Sequence, residues 1–163
     1  MRILGVDPGL TATGIGIVEI SGDRCTYLHH SIVRTKTSDA AVSRLGVIHD
    51  GVRELAERWE VNTGAIEASF VGTNARSALA LGQARAAAML GMAAAGLEVA
   101  EYTPAIVKQT VAGYGRGAKE QVAEMVRLQL GLARAPSPAD AADALAIAIT
   151  HWAHTRQERL TRR

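Results

Sequence analysis

The hydrophobic pattern of this chain changes period once, near residue 40, and that change decides what it can fold into. Before it, apolar residues come in short runs broken by turn residues. Arg2 to Asp7 is such a run, closed by Pro8-Gly9. Thr13 to Ile20 alternates glycine with isoleucine or valine and ends at Ser21-Gly22-Asp23, so it reads as the second strand of a hairpin. Cys25 to Arg34, with Tyr27, His29 and Ile32, reads as a third strand. After residue 40, Val42, Leu45, Ile48, Val52, Leu55 and Trp59 recur at intervals of three and four. That is an amphipathic helix, and Thr37 or Ser38 is available as its N-cap.

Strand and helix then alternate. Thr63 to Ala68 fits a buried strand, Asn74 to about Ala95 a helix, and Leu97 to Tyr102 a fifth strand. Pro104 opens a short helix to about Val111, and Gly113-Tyr114-Gly115-Arg116-Gly117 is a loop before a helix from Lys119 to Leu130. A last helix runs to about Leu160, with Ser137 as N-cap and Pro138 at its first position. An antiparallel opening followed by strand–helix alternation implies an α/β fold: a five-stranded mixed sheet with helices on both faces. The Asn74–Ala95 helix has Arg76, Gln83 and Arg85 as its main polar members. A helix apolar on most sides is buried, and part of this one is expected to pack on a second subunit.

At 163 residues the chain is expected to form one domain over 1–163, ending in an arginine-rich tail from about 155. Apolar residues make up 48%, too many for a disordered chain. With 18 Lys and Arg against 16 Asp and Glu the net charge is only +2, so the placement of charge matters more than its total. No uncharged apolar run reaches spanning length, and neither a membrane span nor a secretory signal is expected. Cys25, the only cysteine, excludes an intramolecular disulfide framework and a cysteine-rich zinc site. The expectation is a soluble cytoplasmic protein.

Four carboxylates stand out. Asp7 ends the first strand, Glu67 lies in Ala65-Ile66-Glu67-Ala68, and Asp140 and Asp143 share one face of the last helix. Asp7 also suits a turn before Pro-Gly, and the Asp140–Asp143 pair also suits a helix N-terminus. Glu67 is harder to explain away, because a carboxylate in a buried strand is costly unless paired or bound to metal. Ionised carboxylates about 4 Å apart repel by about 4 kcal/mol per pair at an effective dielectric near 20. If the four converge, hard divalent cations are the natural counter-charge, and two can activate water and stabilise the departing oxygen of a phosphodiester.

Lys108, Arg116 in the glycine loop, and Lys119 form a basic group. A cation at a helix N-terminus opposes the helix dipole, so Lys119 is placed against local preference. The reading is phosphate binding beside a backbone-exposing loop, with solvated surface charge as the plain alternative. The loop is no Walker motif, since it lacks the spacing and the Ser or Thr after lysine. Phe70 suits the core or a base-stacking wedge at the rim of a nucleic-acid site. His151 and His154 read as surface or core residues, and Cys25 as packing.

The strings Ile3-Leu4-Gly5-Val6-Asp7-Pro8-Gly9, Ala65-Ile66-Glu67 and Ala139-Asp140-Ala141-Ala142-Asp143-Ala144-Leu145-Ala146-Ile147-Ala148 together resemble the RuvC crossover junction endonucleases. Asn74-Ala75-Arg76-Ser77-Ala78-Leu79, Leu81-Gly82-Gln83-Ala84-Arg85 and Val107-Lys108-Gln109-Thr110-Val111 add to the likeness, which covers about Met1 to His151. The resemblance implies a ribonuclease H-like fold, a homodimer, and resolution of four-way (Holliday) junctions in recombination and repair. It implies Mg2+ as cofactor, two ions per subunit with Mn2+ as a substitute, held by Asp7, Glu67, Asp140 and Asp143. Some members carry histidine at the last of these positions, where this chain has aspartate. The likeness also implies that Phe70 stacks near the crossover, that Lys108 and Lys119 contact DNA, and that a RuvA–RuvB branch-migration complex is a partner. Gly115-Arg116-Gly117-Ala118 is not a fixed family string, so Arg116 rests on the loop reading alone.

Three other readings compete. A phosphotransferase or ATPase of the actin and sugar-kinase type also begins with a strand, an Asp and a glycine-containing hairpin, but needs two domains around its nucleotide. A nuclease of the same fold acting on RNA or another branched nucleic acid is the second. A binding module without catalysis is the third, and the presence of all four carboxylates weighs against it.

Overall fold

The computed structural model describes residues 1–68, 74–113 and 119–161, with Lys119 described by its backbone alone. In chain order the elements are β1 (Arg2–Asp7), β2 (Ala12–Ser21), β3 (Arg24–Arg34), α1 (Ala41–Arg58), β4 (Thr63–Glu67), α2 (Ala75–Ala94), β5 (Val99–Tyr102), α3 (Pro104–Ala112), α4 (Lys119–Leu130) and α5 (Ala139–Thr161). The strands form one sheet in the order β3-β2-β1-β4-β5. β1 pairs antiparallel with β2, and β2 with β3, while β1–β4 and β4–β5 are parallel. This is the mixed five-stranded sheet expected from the change of period.

Alternate strand residues feed two cores. Ile3, Val18 and Ala65 pack with Val107 and Val111 of α3, Val122 and Val126 of α4, and Leu145 and Ile149 of α5. Leu4, Val6, Ile17 and Ile66 pack on the other face with Ile48 and Val52 of α1 and Ala84, Ala88 and Met92 of α2. Helices therefore cover both faces, and the central strands β1, β2 and β4 are apolar on both sides for that reason.

α5 is seated unusually close to the sheet. Gly5, Gly14 and Gly16 line its track, and a Cβ at Gly16 would stand 2.5 Å from Leu145 N and one at Gly5 2.7 Å from Ala148 N. The glycines alternating with isoleucine in β2 thus mark a helix seat on one face and core on the other. The alanines of α5 complete the fit, since Ala141, Ala144 and Ala148 are fully buried.

Three helix and strand boundaries differ from expectation. Neither Thr37 nor Ser38 caps α1: Asp39 N bonds Lys36 O at 3.1 Å, closing a turn there and moving the start to Ala41, after Ala40, without a side-chain cap. Ser137 does not cap α5. The Pro138 carbonyl accepts from Ala141 N at 3.0 Å, so Pro138 takes the cap position and the helix begins at Ala139. β5 begins at Val99, because Leu97 N bonds Met92 O at 3.1 Å and belongs to the end of α2, where Gly96 takes φ 77°.

Candidate active site

Strand parity brings the acidic residues together. Ile3, Gly5 and Asp7 lie on the α5 face of β1, and Ala65 and Glu67 on the same face of β4. The last parallel pair is Val6 with Ile66, so Asp7 and Glu67 follow side by side at the carboxyl ends of adjacent strands. That end of an open parallel sheet is where ligand sites are built. α5 lays its first turn over the same corner: Asp140 closes over Gly14, the register partner of Asp7. Asp143, three residues on, interrupts the otherwise buried stretch from Ala141 to His151.

Asp7, Glu67 and Asp143 line one cavity of about 150 Å³ with Lys108, Pro104, Val107 and Val122. Asp140 is beside it, not in its lining. Lys108 arrives there because Thr103 caps α3 through its side chain and Pro104 fixes the first turn. It is the cation of this lining among the described residues. Lys119 is the first residue of α4. Phe70 and Arg116, and the side chain of Lys119, lie outside the described residues.

The chemistry of this donor set suits a hard cation: among the described residues the lining offers carboxylate oxygens, no thiol and no imidazole. Among the described residues no three His, Cys, Asp or Glu side chains are drawn in as a ready-made metal cage. The carboxylates converge on a shared space without closing around one point.

Two features of the site were not read from the sequence. The first is the glycine seat that lets α5 approach β1 and β2, whose signal was the Gly/Ile alternation of Thr13–Ile20. The second is Arg85 of α2, whose Nε donates to the Glu67 carbonyl at 3.2 Å while Nη2 pairs with Glu101 of β5.

A second polar network lies behind the site. Tyr102, the register partner of Glu67, meets His151 Nδ1 at 2.9 Å, and His151 Nε2 meets Thr63 Oγ1 at 3.0 Å. Thr63 Oγ1 donates onward to Glu98 O, which orders the chain as Tyr102 O–H to Nδ1 and Nε2–H to Thr63. Burial, helped by His154 and opposed by Glu158, holds the His151 pKa below its ordinary value. His151 is thus a core histidine with both nitrogens bonded, and the ring of His154 packs on Tyr102. Cys25 lines a different cavity, and burial pushes its thiol up to about 12, so it stays protonated and is no nucleophile.

A mixed sheet clad in helices, with carboxylates gathered at the ends of its adjacent parallel strands, defines the class: a ribonuclease H-like nuclease, a hydrolase of phosphodiesters. A profile of the family "Crossover junction endodeoxyribonuclease RuvC" matches residues 3–151, and the chain belongs to that family. It is 50% identical over 151 residues to the crossover junction endodeoxyribonuclease RuvC of Burkholderia thailandensis, covering 93% of this chain and 83% of that protein. Thermus thermophilus RuvC superposes with a TM-score of 0.89 at 40% identity, over 97% of both chains. The same protein in complex with a Holliday junction substrate gives 0.91, over 97% of this chain and 96% of that one. No described helix is long and apolar enough to cross a membrane.

Proposed function

We propose that this chain resolves four-way DNA junctions by paired, divalent-metal-dependent hydrolysis of phosphodiesters, in recombination and repair. The observation that carries the reading is the meeting of Asp7, Glu67 and Asp143 with Lys108 in one cavity of a chain of this family. Asp7, Glu67, Asp140 and Asp143 hold the cation, Mg2+ with Mn2+ as a substitute and two ions per subunit. Bound there, such ions would supply Lewis acidity for activating water and for the charge on the departing oxygen.

The chain's own residues do the rest. Lys108, on a rigid helix at the rim, attracts a backbone phosphate and orients the scissile group. The α5 seat keeps Asp140 and Asp143 at a fixed depth over the strand ends. Lys119 and Arg116 extend the phosphate contacts and Phe70 stacks near the crossover. The chain acts as one domain, in the cytoplasm, beside a RuvA–RuvB complex.

One such site cuts one strand, so two opposed nicks require a two-fold dimer. The outward face of α2 suits that interface: Leu79 and Leu90 are 64% and 63% exposed, and Gly82 and Ala86 lie between them. Exposed large apolar side chains on one helix face mark association surfaces.

The deciding experiment offers synthetic four-way junction, linear duplex and ATP, each with Mg2+, Mn2+ or EDTA. Paired, metal-dependent nicks in the junction are expected. ATP turnover without DNA cleavage, or equal cutting of linear duplex, would overturn the reading.

A further inference from the structure

We propose that Arg85 is a positioning residue for Glu67, replacing a rung of the sheet that Pro8 cannot supply. Along β4 and the residue that follows it, even positions direct their main-chain groups toward the β5 side, as Gly64 N to Glu98 O (2.9 Å) and Ala68 N to Tyr102 O (2.8 Å) show. Odd residues, Glu67 among them, therefore face β1. On β1, Met1 exchanges both bonds with Ile20 of β2, so odd residues there face β2 and even residues face β4. In the parallel register of Val6 with Ile66, the donor to the Glu67 carbonyl is the N–H of residue 8. Residue 8 is proline and has none.

Arg85 Nε donates to that oxygen at 3.2 Å, from the opposite layer. Its other arm is fixed by the Glu101 carboxylate on β5. The guanidinium thus pins the last residue of β4 to the neighbouring strand and to α2, at the point where the main chain leaves the sheet. A planar fork with several donors does this, whereas an ammonium holds one side of it. The peptide of Glu67 is fixed from behind, and its carboxylate is thereby held toward the cavity it shares with Asp7 and Asp143. Arg85 is on the exposed-face helix α2, next to Ala86, so Glu67 is also tied to the proposed dimer contact.

The inference rests on the nuclease reading above, and its test separates the two. Full-length Arg85→Ala, Arg85→Lys and Glu101→Ala are compared for single-turnover cutting of pre-bound junction, junction affinity in EDTA, Mn2+ affinity by titration calorimetry of the free protein, and melting. Arg85→Ala is expected to cut about 10- to 100-fold more slowly and to bind Mn2+ more weakly, with unchanged junction affinity. Arg85→Lys should fall between it and wild type. Glu101→Ala, which keeps the Nε contact to Glu67 but frees the other arm of the guanidinium, should lose no more than Arg85→Lys does. Wild-type cutting and Mn2+ affinity in Arg85→Ala would overturn the proposal, as would an equal loss in Glu101→Ala. If Arg85→Ala does not fold, Arg85→Lys decides: slowed cutting with intact melting supports the role, and full speed overturns it. Wild type that cuts no junction refutes the function, while the Mn2+ titration still reports on Arg85.

Discussion

Gly14 lies directly beneath Asp140: a Cβ on Gly14 would stand 2.5 Å from the Asp140 carbonyl carbon and 3.2 Å from its Cβ. Gly14 is also the register partner of Asp7. The missing side chain is what allows the first turn of a helix to settle beside a strand-end carboxylate.

Gly14→Ala is expected to lift that turn. Overpacking a filled site costs about 1–3 kcal/mol, which thermal melting should register. Cutting should fall further, by about 100-fold, because a 1 Å displacement of reacting groups costs that much. Gly46, with nothing within 4 Å of its would-be Cβ, is the control, and Gly46→Ala should melt no lower than wild type. A Gly14→Ala protein that melts and cuts like wild type would show the seat to be loose.

Asp7→Asn should separate chemistry from binding. Phosphate contacts supply most affinity for DNA, so the variant should shift a four-way junction in a gel as wild type does while cutting is abolished. Equal loss of binding and cutting would mean that the carboxylate serves the fold instead.

Ala86→Glu tests the outward face of α2. The side chain is exposed in the isolated chain, so folding should be unaffected, while a buried charge at a two-fold contact is duplicated by symmetry. Sedimentation at micromolar concentration should show monomer, and junction cutting should give unpaired single nicks. A variant that remains dimeric places the interface elsewhere.

What the sequence discloses of this structure depends on the range of the interaction. The alternation from Thr13 to Ile20 and the three-four spacing from Val42 to Trp59 are local, and both elements formed. Asp7 and Glu67 were legible because each ends an apolar run, and the parallel pairing of those runs sets them side by side. The helix starts near Ser38 and Ser137 depart from the sequence expectation because a Lys36–Asp39 turn closes before α1 and the Pro138 carbonyl accepts the first helical bond of α5. Arg85 was invisible as a site residue, since its meaning depends on a proline 77 positions earlier whose missing N–H matters only in one register. The burial of His151 was likewise set by Tyr102 and Thr63, on two other elements.

That buried histidine gives the chain an acid limit distinct from its carboxylates. His151 is only 7% exposed, and its folded pKa lies below the ordinary 6.5, chiefly through burial. The unfolded chain therefore takes up a proton that the folded chain refuses. Stability from this source is complete above about pH 6.5 and is lost as pH falls through the lower folded value. Protonation would also displace the Tyr102 O–H from Nδ1, while Glu158 nearby eases the added charge and His154 does not. Urea midpoints at about pH 7.5, 6.5 and 5.5 should fall steadily for wild type and less for His151→Gln, which cannot titrate. His29, also held low by burial and by its neighbours His30 and Arg58, leaves a residual slope in the variant. Parallel slopes for the two proteins would mean that His151 carries no part of the acid sensitivity.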